Sequence, residues 1–210
     1  MKRLLWVVAG LALVAGCSSD SHASRPKGSE LVGQQQSGPY QGAGLVPPQP
    51  RPSFTLTDTA GTSFAFGTRT AGHPTFLYFG YTECPDVCPE TMADIMLALK
   101  KVPASVARKT FVVFVSTDVK HDTGPVIKQW LSHFSPGTGA TWVGLRGTQA
   151  QIDAAQAAAH VFVASDAGQT HSAQALLYGP DDYAHVTFLQ STNEQQQMAH
   201  DLPIVARGEA

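Results

Sequence analysis

The sequence predicts an α/β fold, and three patterns carry that prediction. Residues 74–80 (PTFLYFG) and 111–116 (FVVFVS) are apolar runs of strand length with almost no alternation, the pattern of central strands covered on both faces. Between and after them lie segments with apolar residues at helical spacing. Near the C-terminus, two strand-like segments, 174–179 and 185–190, flank Pro180-Asp181-Asp182-Tyr183, a turn sequence.

The first element is not part of the fold. Lys2 and Arg3 precede a twelve-residue apolar run, 4–15. A membrane-spanning helix needs about 20 such residues, whereas twelve suits the core of an export signal. The run ends in Val14-Ala15-Gly16-Cys17, which resembles a bacterial lipobox. Residues 1–16 are therefore expected to be a lipoprotein signal peptide, cleaved to leave an acylated Cys17. Several acyl chains hold a protein to a bilayer far more firmly than one. The expected location is a bacterial cell membrane, with the folded part on the extracytoplasmic side. Residues 17–50 are expected to form a disordered tether. From Ser18 to Pro50, 21 of 33 residues are Ser, Gly, Pro or Gln, too little apolar surface to build a core.

The folded domain is expected over 51–207. Phe54-Thr55-Leu56-Thr57-Asp58 alternates as a half-buried strand, Gly61 turns the chain, and 63–66 returns, an N-terminal β-hairpin extension. After the strand at 74–80 comes a loop with two cysteines, then a helix over 89–102. Its apolar face is Met92, Ile95, Met96 and Leu99, with Pro89 in the first helical position. The strand at 111–116 leads to Asp118 and a helix from Thr123, with Val126, Ile127, Trp130, Leu131 and Phe134 on one side. A short strand at 141–145 precedes an alanine-rich helix capped by Thr148 and running to His160. After the C-terminal hairpin, a last helix starts near Thr192, and Pro203 should end or kink it. Strands alternating with helices, then a hairpin and a final helix, describe a thioredoxin-like α/β/α sandwich.

Composition excludes some functions. The formal net charge is −2, without a basic block, which argues against nucleic-acid binding. Three cysteines are too few for a disulfide scaffold. With Cys17 acylated, Cys84 and Cys88 are the only thiols of the mature chain.

Those two thiols sit in Gly80-Tyr81-Thr82-Glu83-Cys84-Pro85-Asp86-Val87-Cys88-Pro89. A spacing of four at a helix start puts both sulfurs on one face. They can close a disulfide or grip one soft metal ion. The helix N-terminus favours anions, and thiolate is both nucleophile and metal ligand. A closed zinc site needs four ligands, and there is no second cysteine pair, whereas copper(I) accepts thiolates and an imidazole at low coordination number. A disulfide here closes a very short loop and removes little chain entropy.

With these residues in view, the sequence resembles the Sco/SenC family. FGYTECPDVCPE matches that family's cysteine segment, while STDVKHDT (116–123) and HSAQALLYGPDD (171–182) look like its second and third signatures. The resemblance covers about 54–205. It implies a thioredoxin-like copper-binding protein that delivers the ion to cytochrome c oxidase subunit II, or reduces the thiols there. It implies that Cys84, Cys88 and His171 are the ligands for copper(I), with copper(II) left open, and that Asp118 lies beside the site. Two departures are His121, where an arginine is usual, and Gln169-Thr170 before the histidine.

Of eight histidines, His171 is singled out by that match and by its place before a late strand. In thioredoxin-like reductases a proline loop there packs against the cysteines, and 165–173 has no proline. His121 is the runner-up, His185 is expected to face outward, and His73 to be a loop residue. Loading needs a thiol reductant, or else oxidation releases the ion. The rival reading is a membrane-bound thiol–disulfide reductase acting on exported proteins.

Overall fold

The computed structural model describes residues 38–161 and 174–208. In chain order the elements are β1 (Ala43–Pro50), β2 (Thr55–Asp58), β3 (Ser63–Ala65), α1 (Phe66–Arg69), β4 (Thr75–Gly80), α2 (Val87–Lys101), α3 (Ala104–Ala107), β5 (Phe111–Ser116), α4 (Gly124–Leu131), β6 (Thr141–Arg146), α5 (Gln149–Ala158), β7 (Gln174–Tyr178), β8 (Tyr183–Leu189) and α6 (Glu194–Val205). The strands form one mixed sheet in the order β1-β8-β7-β4-β5-β6-β2-β3.

The two apolar runs pair in parallel, Thr75 opposite Phe111 through Gly80 opposite Ser116, and every residue of β4 is buried. Alternation along the pleat sends Phe76 and Tyr78 to one face and Leu77 and Phe79 to the other, each into its own core. The first core takes Met92, Ile95 and Leu99 from α2, Ile127 from α4, and Met198 and Leu202 from α6. The second takes Ile152 and Ala155 from α5 and Leu56 and Phe64 from the β2–β3 hairpin. Each large apolar side chain so buried contributes roughly 1.5–3 kcal/mol. The hairpin joins the sheet through β6, where Thr57 opposes Arg146. The helix at 149 is capped as expected, with Thr148 Oγ1 and the Gln151 amide bonding reciprocally to each other's backbone N–H.

Four expectations need correction. The folded part begins before residue 51, because β1 pairs antiparallel with β8, with its ladder broken between Gly44 and Gln49. The Pro-rich composition suits an edge strand, which has no neighbour to receive the missing N–H groups. What holds the segment is tertiary. The Asp201 carboxylate accepts the N–H of Gln41 at 2.9 Å and of Gly42 at 2.8 Å, and Tyr40 is buried. A Cβ on Gly42 would lie 2.6 Å from Val186 Cγ2, so only glycine allows this approach. Second, α2 starts at Val87, not Pro89, because Asp86 bonds the Val87 N–H and caps the helix two residues earlier. Third, Val126 is exposed, while Ile127 and Leu131 are buried in the core and Trp130 packs against it beside Phe114. Fourth, Pro203 lies inside α6, which runs on to Val205; near a helix end the missing N–H costs one bond only.

Candidate metal centre

The site forms where β4 ends and α2 begins. Gly80 closes the strand against the helix, and a Cβ there would come within 2.9 Å of Cys88 Sγ. The chain then turns, with the Cys84 N–H bonding Tyr81 O at 3.3 Å, and enters α2. Both cysteines are free thiols, Cys84 half-buried and Cys88 fully buried. The Cys88 N–H points at Cys84 Sγ over 3.4 Å, as the spacing requires at a helix start. Tyr78 donates its hydroxyl to Cys88 Sγ at 3.6 Å. The Tyr81 hydroxyl meets the Cys84 sulfur, and the Tyr81 N–H meets the Cys88 sulfur.

Burial dominates the electrostatics of Cys88. It pushes the thiol up to about 12, against hydrogen bonds from the Tyr81 N–H and the Tyr78 hydroxyl that favour thiolate. The helix N-terminus therefore does not make Cys88 a thiolate by itself, which corrects the expectation from sequence. A metal ion binding there must displace a proton.

The cysteine loop is fixed from below by Asp122. This carboxylate is 2% exposed and accepts the Thr82 N–H at 3.1 Å together with the hydroxyls of Thr82 and Ser116. The Thr117 N–H reaches Gly80 O at 2.8 Å, tying the ends of β4 and β5. Asp118 serves its own loop instead. It accepts the Lys120 and His121 N–H groups at 3.0 and 3.1 Å and lies 2.7 Å from His121 Nδ1. Partial burial works against its charge, but the His121 ring and these two N–H groups outweigh it and hold the carboxyl below its ordinary range. The hydrogen bond to Asp118 raises His121 in turn.

His171 and Cys17 lie outside the described residues. The described strand nearest His171 starts at Gln174, opposite Leu189, and Ala175 stands opposite Tyr78. The chain thus enters β7 at the sheet end that carries Gly80 and the cysteine loop. His185 sits toward the other end, beside the Leu177/Tyr178 irregularity. Its ring is buried rather than outward, with Nε2 2.7 Å from Asp181 Oδ2, because the β7–β8 turn folds Asp181 back over it. His73 is a loop residue as expected, its Nδ1 3.1 Å from Lys109 O. Among the described residues, no three His, Cys, Asp or Glu side chains are placed to hold a metal ion.

Three residues of the site escaped the sequence reading. Asp122 is one letter of the STDVKHDT segment, and only its burial marks it. Tyr81 passed as one letter of the cysteine motif. Tyr78 was hidden in an apolar run, although a buried tyrosine needs a partner for its hydroxyl and so carries a signal of its own.

A thioredoxin-like sandwich with two free thiols where a central strand turns into a helix defines a dithiol protein of that fold class. The chain belongs to the SCO1/SenC family, whose family model matches residues 45–206. The SCO2-like protein of Rickettsia felis is 32% identical over 143 residues, 67% of this chain and 63% of that protein. Protein SenC of Rhodobacter capsulatus is 39% identical over 82 residues, 39% of this chain and 35% of that one. The chain spans less than two thirds of the length of these curated relatives. Among solved structures, Bradyrhizobium japonicum ScoI with copper bound is 30% identical with a TM-score of 0.61, covering 74% of this chain and 98% of that one. Apo Sco1 from Thermus thermophilus shares the fold with a TM-score of 0.66 at 24% identity, over 79% and 96% of the two chains.

Proposed function

We propose that this protein is a membrane-anchored copper(I) carrier that serves assembly of the dinuclear copper centre of cytochrome c oxidase, with the ion held by Cys84, Cys88 and His171. The observation that carries the reading is the sulfur pair: two free thiols on one side of the turn into α2, each met by hydrogen-bond donors, in a SCO1/SenC chain. Two soft sulfurs and an imidazole suit copper(I). The entry of β7 supports His171 as third ligand, since three residues of chain reach at most about 10 Å from Gln174. ScoI of Bradyrhizobium japonicum, a solved relative, holds copper.

Copper is cargo here. It arrives at the half-buried Cys84 and displaces the proton of Cys88, and a partner such as oxidase subunit II withdraws it by exchanging ligands one at a time. Oxidation of the thiols to a disulfide removes the donors and releases the ion. Equilibrium dialysis of the reduced domain tests this: about one copper(I) per chain is expected, and none after oxidation. Copper retained by the disulfide form would exclude the sulfurs as ligands.

The anchor is proposed at Cys17, with residues 18–37 as the tether and the domain on the outer side of a bacterial cell membrane. No helix among the described residues is long and apolar enough to cross a membrane. A Cys17→Ser variant should leave the membrane fraction; one that stays there is held by something else.

One asymmetry favours a second reading. Cys84 is half-exposed and Cys88 buried, the arrangement of an attacking and a resolving thiol in disulfide reduction. A thiol–disulfide reductase of exported proteins needs both cysteines but not His171.

A further inference from the structure

The two sulfurs are served alike. Cys84 Sγ receives the Cys88 N–H at 3.4 Å and the Tyr81 hydroxyl. Cys88 Sγ receives the Tyr81 N–H and, at 3.6 Å, the Tyr78 hydroxyl. Each sulfur therefore has one backbone donor and one tyrosine donor. The backbone donors follow from the turn into the helix, but the hydroxyls are a choice of side chain. Tyr78 is fully buried on the same face of β4 as Phe76 and stacks on Phe114 with ring centres 6.4 Å apart. A phenylalanine would fill the same space without bringing a hydroxyl into the core, which costs free energy unless it is bonded.

We propose that Tyr78 and Tyr81 set the oxidation-state preference of the site, their hydroxyls drawing electron density from the two sulfurs so that copper(I) is held in preference to copper(II). This inference rests on the copper-carrier reading. Copper(II) depends on strong donation from thiolate into its half-filled orbital, whereas copper(I), with a filled shell, depends on it less. A hydrogen bond to the sulfur weakens that donation, and donors around a cysteine ligand are known levers on copper potentials. The same hydroxyls offset the negative charge that two thiolates leave around one copper(I) in a buried setting. For a carrier the consequence is practical, because two copper(II) ions, taking one electron each and leaving as copper(I), convert the thiol pair to the disulfide and end the delivery.

The test compares the reduced wild type with Tyr78→Phe and Tyr81→Phe, with Tyr178→Phe as control. Tyr178 is equally buried, but its hydroxyl has no partner among the described residues, and it stands opposite Thr75 at the far end of β4. Anaerobic competition with copper(I) and copper(II) chelators gives both dissociation constants. In each site variant the preference for copper(I) should fall about tenfold, a one-electron potential roughly 59 mV lower. The thiolate-to-copper(II) absorption should move to longer wavelength, a change that loosened packing alone would not produce. The control should match wild type in both readouts. Site variants that bind one copper(I) with an unchanged preference and band would overturn this inference and leave the carrier reading intact. A wild type that binds no copper(I) would overturn the carrier reading itself, and this inference with it.

Discussion

The Asp122 carboxylate accepts the backbone N–H of Thr82 at 3.1 Å, and this contact joins the cysteine loop to the loop that follows β5. Asp122 also takes the hydroxyls of Thr82 and Ser116, so one buried charge satisfies three donors. The proposed ligand set, with Cys88 and His171 set 83 positions apart in sequence, needs such fixed points, because the order of the loop must exist before the ion arrives.

Replacing Asp122 with Ala leaves those donors unpaired in a buried place. Hydrogen bonds to charged groups are worth about 1.5–3 kcal/mol each, and they are not additive within one network. We expect a loss of about 3 kcal/mol in urea unfolding of the reduced apo-protein, and at least tenfold weaker copper(I) binding under conditions where the variant is folded. Asp118→Ala should cost far less on both counts, since Asp118 is bonded within its own loop. The reverse ranking would contradict the account of the loop.

Glu194 opens α6, buried against α2. Burial, then the nearby Asp94 and Glu90 carboxylates, raise it to about 7, while the Ser191 N–H works the other way. From about 4.5, its value in the unfolded chain, to about 7, the folded state holds a proton that the unfolded state has lost. Stability should therefore fall as pH rises through that window and level off above it. Glu194→Gln removes this slope. It should stabilise the domain on the order of 2 kcal/mol at pH 8 and hardly at pH 4.5. Denaturant melts at both pH values check it, and an equal effect at the two would show that Glu194 is not the titrating group.

The fold was legible because its central evidence is local. Continuous apolar runs cannot be half-exposed, and the β4 and β5 runs sit where both faces are covered. The β2–β3 hairpin and the Thr148 cap were equally readable from turn and cap residues. What sequence could not show is docking decided by distant partners. β1 looks like linker because its Pro, Gly and Gln have no strand preference. It is ordered by β8 and by Asp201, about 160 residues away in the chain.

The candidate site divides in the same way. Cys84 and Cys88 lie four residues apart in sequence, and the turn into a helix start brings the Cys88 N–H to the Cys84 sulfur. Of their supporting residues, Tyr78 reaches Cys88 from the strand just before it, while Asp122 reaches Thr82 from the loop after β5, brought there by the parallel pairing of β4 with β5. The thiolate expected at a helix start fails at Cys88, because burial there outweighs the N–H donors, and burial is invisible in the sequence.

The most direct test of the account is a copper(I) titration of the reduced protein beside its His171→Ala variant, under a competing chelator, with the fold of both checked by circular dichroism. We predict one copper(I) per wild-type chain and an affinity at least a hundredfold lower in the variant. Equal affinities in two folded proteins would contradict a ligand set of two sulfurs and one imidazole, leaving a redox dithiol in its place.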